Sequence, residues 1–254
     1  MNRPLFSYGE GKGDWLMKRD LLLLFLCLCI LGAASHLGRE RVVAASAASP
    51  EKGRVLILDA GHGGEDGGAS SAAGSRESDI NLDIVLKTEA LMAFMGVRTQ
   101  LTRDQDRSIY SEGASTLREK KVSDLKNRVE LVNGTNNAML ISVHQNYFTD
   151  SRSSGSQVFY QSGDVSRQWG EGTQELLRQT LNPDNDRAAK PIPDNLYLFS
   201  HIDCPAILVE CGFLSNGEEA SLLLTDPYQR KIALALAGAY WKEIQIIPTV
   251  WGGE

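Results

Sequence analysis

Apolar residues along this chain fall into short runs separated by stretches of helical spacing. Arg54 to Asp59 (RVLILD) reads as an apolar strand, and the AGHGGEDGG that follows turns sharply. From Ser78 to Met95, the positions Ile80, Ile84, Leu91, Met92 and Met95 keep helical intervals, and Gly96 stops the pattern. Val97 to Thr102 returns as a strand. Val122, Leu125, Val129 and Val132 give a second amphipathic helix, ended by Asn133-Gly134. Ala138 to Val143 (AMLISV) is apolar on both faces, as a central parallel strand is. Ser156 to Tyr160 is a further strand, and Val165 to Thr180 a helix weakened by Gly170 and Gly172. Leu196 to Phe199 and Ala206 to Glu210 read as the remaining strands. Asp226-Pro227 opens the last helix as cap and first residue, with Ile232, Leu236, Ala239 and Tyr240 facing inward.

Strands alternating with helices predict an α/β fold, with one mostly parallel, twisted sheet flanked by helices on both faces. An N-terminal export segment precedes it. Lys18 and Arg19 lead into the uninterrupted apolar run LLLLFLCLCILGAA, Leu21 to Ala34. That run suits the core of a secretory signal and falls short of the roughly 20 residues that span a bilayer comfortably. Residues 1–34 are therefore a signal peptide or membrane anchor, 35–52 an Ala- and Ser-rich linker, and 53–250 the catalytic domain. Either way the domain acts beyond the cytoplasmic membrane.

A net charge of -6 argues against a nucleic-acid binder, which would show a basic face. Cys204 and Cys211 flank one strand, and the extended residues between them cover about 23 Å, so they read as free thiols.

The candidate chemistry lies at strand ends. His62 follows the first strand and His144 the third, Glu210 ends the last, and Glu77 precedes the first long helix. Ligand sites of open α/β sheets form beyond the carboxyl ends of the strands, so this topology gathers the four at one edge. Two imidazoles and a carboxylate are the donor set of a catalytic zinc that keeps a position for water. A further glutamate is what a zinc hydrolase needs to move protons. His201, in the loop before the last strand, is a weaker candidate for substrate contact.

Read in order, LDAGHGGEDGG, Glu77, LTRDQD, LKNRVELVN, LISVHQN and PAILVECGFLSN resemble the zinc-dependent N-acetylmuramoyl-L-alanine amidases of the AmiC/CwlD type. Within them the chain is most similar to the germination-specific spore-cortex amidases. The resemblance runs from about Val55 to Ile244. It implies Zn2+ held by His62, Glu77 and His144, Glu210 as the catalytic carboxylate and Asn146 near the substrate. Peptidoglycan is the implied substrate, cut between N-acetylmuramic acid and L-alanine. A targeting or activating partner protein, and anchoring to the membrane by the N-terminal segment, are further expectations. Asp59-Ala60 stands where the family has Asp-Pro, and Gln145 where a small residue is common; neither is expected to touch a ligand. Two rival readings are a zinc peptidase cutting within the stem peptide and a non-catalytic wall-binding protein.

Overall fold

The computed structural model describes residues 53–246 and holds a single six-stranded sheet. The export segment, the linker and the last residues of the expected catalytic domain lie outside the described residues. The strands are β1 (Val55–Ala60), β2 (Thr99–Leu101), β3 (Ala138–Asn146), β4 (Gln157–Tyr160), β5 (Lys190–Pro191) and β6 (Ala206–Phe213). Their order is β2-β1-β3-β6-β4-β5, and every pair is parallel except β4 with β6. The helices are α1 (Glu77–Phe94), α2 (Leu117–Asn133), α3 (Asp164–Leu181), α4 (Tyr197–Ser200), α5 (Gly217–Leu223) and α6 (Asp226–Ile246).

Side-chain alternation in the central strands divides the core in two. Leu56 and Leu58 of β1, Met139, Ile141 and Val143 of β3, and Ile207 and Val209 of β6 pack under α1, α3 and α6. Ile57, Leu140 and Leu208 face the other way, against Val132 of α2 and Leu198 and Phe199 of α4. Leu56, Ile57, Leu58, Leu140 and Ile141 have no exposed surface, and each such burial contributes about 1.5–3 kcal/mol. The sheet is thus mostly parallel and covered on both faces, as the sequence pattern implies.

Three local readings change. Leu196 to Phe199 is not a strand but leads into the helical turn α4. Leu198 and Phe199 are neighbours buried in the same cluster, which strand alternation forbids. Ser200 N–H donates to Leu196 O at 3.0 Å to close the turn. Helix α2 begins several residues before Val122, at a capping box in which Thr116 and Glu119 satisfy each other's backbone N–H. It also faces inward with Asp124, Arg128 and Val132, leaving Val122 exposed. Helix α5, capped by the Asn216 side chain, and the two-residue β5 have no counterpart in the sequence reading.

Candidate metal centre

Strand alternation decides which face carries the polar residues. Ile57 and Asp59 share a face of β1, Leu140, Ser142 and His144 share one of β3, and Leu208 and Glu210 share one of β6. All of these lie on the side covered by α2 and α4. Asp59 is in register with Ser142 and His144 with Glu210, so a polar stripe crosses the carboxyl edge. Beyond His144 the β3–β6 register shifts, and Asn146 pairs with Phe213. Both strands run further than their apolar runs suggest, which carries His144 and Glu210 inside regular structure rather than at or past its end.

Glu77 is the first residue of α1, and the turn before it is laced to the glycine-rich loop. Glu77 N–H donates to Ala69 O and Ser78 N–H to Gly67 O, at 2.9 and 3.1 Å. The Glu77 carboxylate then accepts from Ala69 N–H through Oε2 and from Gln145 N–H and Asn81 Nδ2 through Oε1. His144 Nδ1 lies 3.0 Å and His62 Nε2 3.4 Å from the same Oε1. The imidazole rings meet edge to face with centroids 5.1 Å apart. One donor atom from each of His62, Glu77 and His144 falls within 4.8 Å of the others, a spacing that one metal ion spans. Glu77 is buried, while the two histidine side chains keep 21% and 22% of their surface, so solvent reaches the cluster.

Two glycines are required by this crowding. A Cβ on Gly61 would lie 2.2 Å from Cε1 of His144, and one on Gly68 would lie 2.5 Å from Glu77 Oε2. His62 itself adopts φ 62°, a conformation costing a non-glycine residue roughly 1–2 kcal/mol. Something must hold it, and two buried arginines do. Arg103 Nε donates to Ala60 O at 2.9 Å, and its Nη2 donates to Gly61 O and Ser78 O at 3.1 and 2.7 Å. Arg128 donates to Ala60 O and His62 O at 3.0 and 2.8 Å. Arg128 is neutralised by Asp124 and by a short contact to Asp59, whose carboxylate also accepts from Thr102 and Ser142. The loop that presents His62 is therefore clamped through its carbonyls.

The electrostatics follow from this packing. Burial pushes the Glu77 carboxyl upward, but the adjacent His144 and His62 outweigh it and hold it well below the usual range. Burial opposes charge on His62, yet Asp66 and Glu77 overcome it and raise that imidazole to about 9. Glu210 goes the other way: burial lifts it to about 7, with His144 opposing and Glu77 adding to the rise. Its Oε2 is shut off from solvent and has no hydrogen-bond partner. An orphaned carboxylate oxygen one strand from a His–Glu–His cluster fits a divalent cation and a substrate better than it fits a structural role.

His62, Glu77, His144 and Glu210 are thus brought together, with Asn146 two residues further along β3. His201 is not. Its carbonyl accepts from Asn133 Nδ2 at the far end of α2, and its ring stacks on Tyr197 at 4.0 Å. Gln145 also departs from expectation, since its backbone N–H binds Glu77 and its amide donates to Asn81 Oδ1 at 3.0 Å. Arg103, Arg128, Asn81 and Asp66 went unread in the sequence, although a charged residue in register with Leu125 and Val132 on α2 was a visible signal.

A mostly parallel α/β sheet with a candidate divalent-metal centre at its carboxyl edge defines the class. Residues 56–240 match the Amidase_3 family model, described as N-acetylmuramoyl-L-alanine amidase, and the chain belongs to that family. It is 34% identical over 188 residues to the germination-specific N-acetylmuramoyl-L-alanine amidase of Bacillus subtilis, covering 74% of this chain and 78% of that protein. Escherichia coli AmiA, also an N-acetylmuramoyl-L-alanine amidase, is 26% identical over 72% of this chain and 74% of its own length. Among solved structures, the CwlD amidase from Clostridioides difficile, determined in complex with the GerS lipoprotein, superposes with a TM-score of 0.73. It shares 39% identity over 76% of this chain and 100% of that one. The protein is therefore an enzyme, a peptidoglycan N-acetylmuramoyl-L-alanine amidase related to germination-specific members.

Proposed function

We propose that this amidase is zinc-dependent, with His62, Glu77 and His144 as the ligands and Glu210 as the group that moves the proton. The observation that carries the reading is the meeting of two imidazoles and a carboxylate beside Glu210, whose Oε2 lacks any partner. When bound there, Zn2+ would polarise the scissile carbonyl and acidify water toward neutrality. Glu210, lifted by burial to about 7, is suited to both halves of a proton transfer near neutral pH. As carboxylate it takes a proton from the attacking water while the new C–O bond forms. As acid it returns that proton to the alanine nitrogen as the lactyl C–N bond breaks. The products are a free muramic carboxylate and a stem peptide with a new amino terminus. Asn146, at the end of β3, is the proposed substrate contact.

Similarity to germination-specific relatives supports the spore cortex as the peptidoglycan acted on. Export across the cytoplasmic membrane, with residues 1–34 as signal or anchor and 35–52 as linker to the 53–250 catalytic domain, places the enzyme where that substrate is. Among the described residues no helix is long and apolar enough to cross a membrane. A partner protein for targeting or activation is part of the proposal, supported by the complex of the Clostridioides difficile relative with a lipoprotein. Mass spectrometry of purified cortex after digestion tests the reaction. Intact stem peptides beginning at L-alanine, together with peptide-free glycan, are expected. Peptides cut internally would instead establish the rival peptidase, and an undigested wall the non-catalytic alternative.

A further inference from the structure

We propose that Asp66 is a positioning residue for the metal centre and that Lys121 steadies it, an inference that rests on the metal reading of the site given above. His62 has two ring nitrogens with different neighbours. Nε2 faces Glu77 Oε1 at 3.4 Å, and Nδ1 faces Asp66 Oδ2 at 3.0 Å. A carboxylate only accepts, so this contact keeps one ring proton on Nδ1, and a metal that displaces the proton on Nε2 finds that nitrogen facing the cluster. Backbone preference does not place the ring, because His62 sits at φ 62°. The loop carbonyls fix the main chain through Arg128, and the side chain needs a hold of its own.

Asp66 is built to supply that hold. Its backbone exchanges two hydrogen bonds with Gly63, at 2.8 and 3.2 Å, which closes the turn around His62. Asp66 Oδ1 accepts from Gly68 N–H at 3.3 Å, leaving Oδ2 for the imidazole. Lys121 Nζ reaches the same Oδ2 at 3.1 Å from α2. One residue earlier, Lys120 pairs with Glu65 and lies 4.8 Å over the Tyr110 ring. Successive lysines of α2 therefore tie down successive acids of the glycine-rich loop.

The two contacts differ in weight. Outer carboxylates on metal-binding histidines typically change metal affinity about 10–100-fold. Lys121 is more than half exposed, so its pairing is screened by water and salt and contributes little alone. Asp66→Ala is accordingly expected to weaken zinc binding about 10–100-fold. Asp66→Asn keeps an oxygen acceptor of the same shape and should recover part of that loss. Lys121→Met should cost no more than about fivefold, since an exposed pair is worth at most about 1 kcal/mol.

The test is zinc affinity of the full-length protein, measured by competition with a chromophoric chelator, together with 1H–15N spectra of its histidine rings. In zinc-loaded wild type the His62 proton is expected on Nδ1 and protected from exchange; in Asp66→Ala that protection should vanish while the fold persists. Equal zinc affinity in wild type, Asp66→Ala and Asp66→Asn would overturn the positioning role and leave the metal assignment standing. Absence of zinc uptake by the wild type itself would overturn both. Should Asp66→Ala fail to fold, Asp66→Asn decides on affinity alone: zinc binding weaker than wild type supports the role, and binding equal to wild type refutes it.

Discussion

Replacing Arg128 with methionine should damage the domain more than any exposed change of charge, and the structure sets the scale. Arg128 is buried and bonded to Asp59, to Asp124 and to the carbonyls of Ala60 and His62. Methionine fills much of its volume but leaves Asp59 as a buried carboxylate without its cation. Breaking one side of such a pair costs about 3–5 kcal/mol, and the lower end applies because Thr102 and Ser142 still donate to Asp59. About 3 kcal/mol corresponds to a loss of roughly 6–12 °C in Tm for a domain of this size. The assay is urea and thermal unfolding of the metal-free protein, so that metal linkage does not mask the change. Asp59→Asn and the double variant complete a cycle in which the double loses less than the sum of the singles, by about 1–3 kcal/mol. The pH dependence carries a sign. Although burial opposes it, Arg128 holds the Asp59 carboxyl below its ordinary value of 3.8. This stabilisation is present above that value and lost as pH falls through the depressed one. The gap between wild type and Arg128→Met should therefore narrow in acid. Additive losses within about 0.5 kcal/mol, or a Tm unchanged in Arg128→Met, would refute the claim that this pair holds the His62 loop.

The remaining expectations are simpler. Gly61→Ala puts a methyl 2.2 Å from the His144 ring, so zinc uptake, read by metal analysis, should fall sharply while circular dichroism shows the fold retained. Thr116→Ala removes the capping hydroxyl of α2 and should cost about 0.5–2 kcal/mol in urea unfolding. Zinc must displace the proton that Asp66 and Glu77, against burial, hold on His62 up to about 9. Affinity should then rise about tenfold per pH unit on approach to that value and flatten above it. Chelator competition across pH measures this, and a flat profile below neutrality would contradict it.

The parts of the fold that were legible are those where packing and local pattern agree. β1, β3 and β6 are apolar on both faces, and α1 and α6 keep apolar residues at helical spacing, so each announces itself. Their carboxyl ends gather His62, His144 and Glu210 by topology alone. Helix α2 misleads because it turns charge inward: Arg128 and Asp124 are buried where the pattern of Val122 and Leu125 implied a greasy face. That inversion depends on Asp59, 69 residues away, and no local periodicity encodes a partner so distant. Leu198 and Phe199 mislead for the opposite reason, since a short apolar run fits a strand or a helical turn equally well. The clamp on the His62 loop is backbone carbonyl chemistry, invisible in residue types, and Gln145 acts on Glu77 through its main-chain N–H.

The most direct test of the central claim is zinc content of the purified protein and its single variants, measured beside turnover on peptidoglycan. One zinc per wild-type chain is expected, little in His62→Ala, Glu77→Ala and His144→Ala, and full occupancy with activity reduced about 10²–10⁴-fold in Glu210→Gln. Full zinc in any of the first three, or wild-type turnover in Glu210→Gln, would contradict that claim.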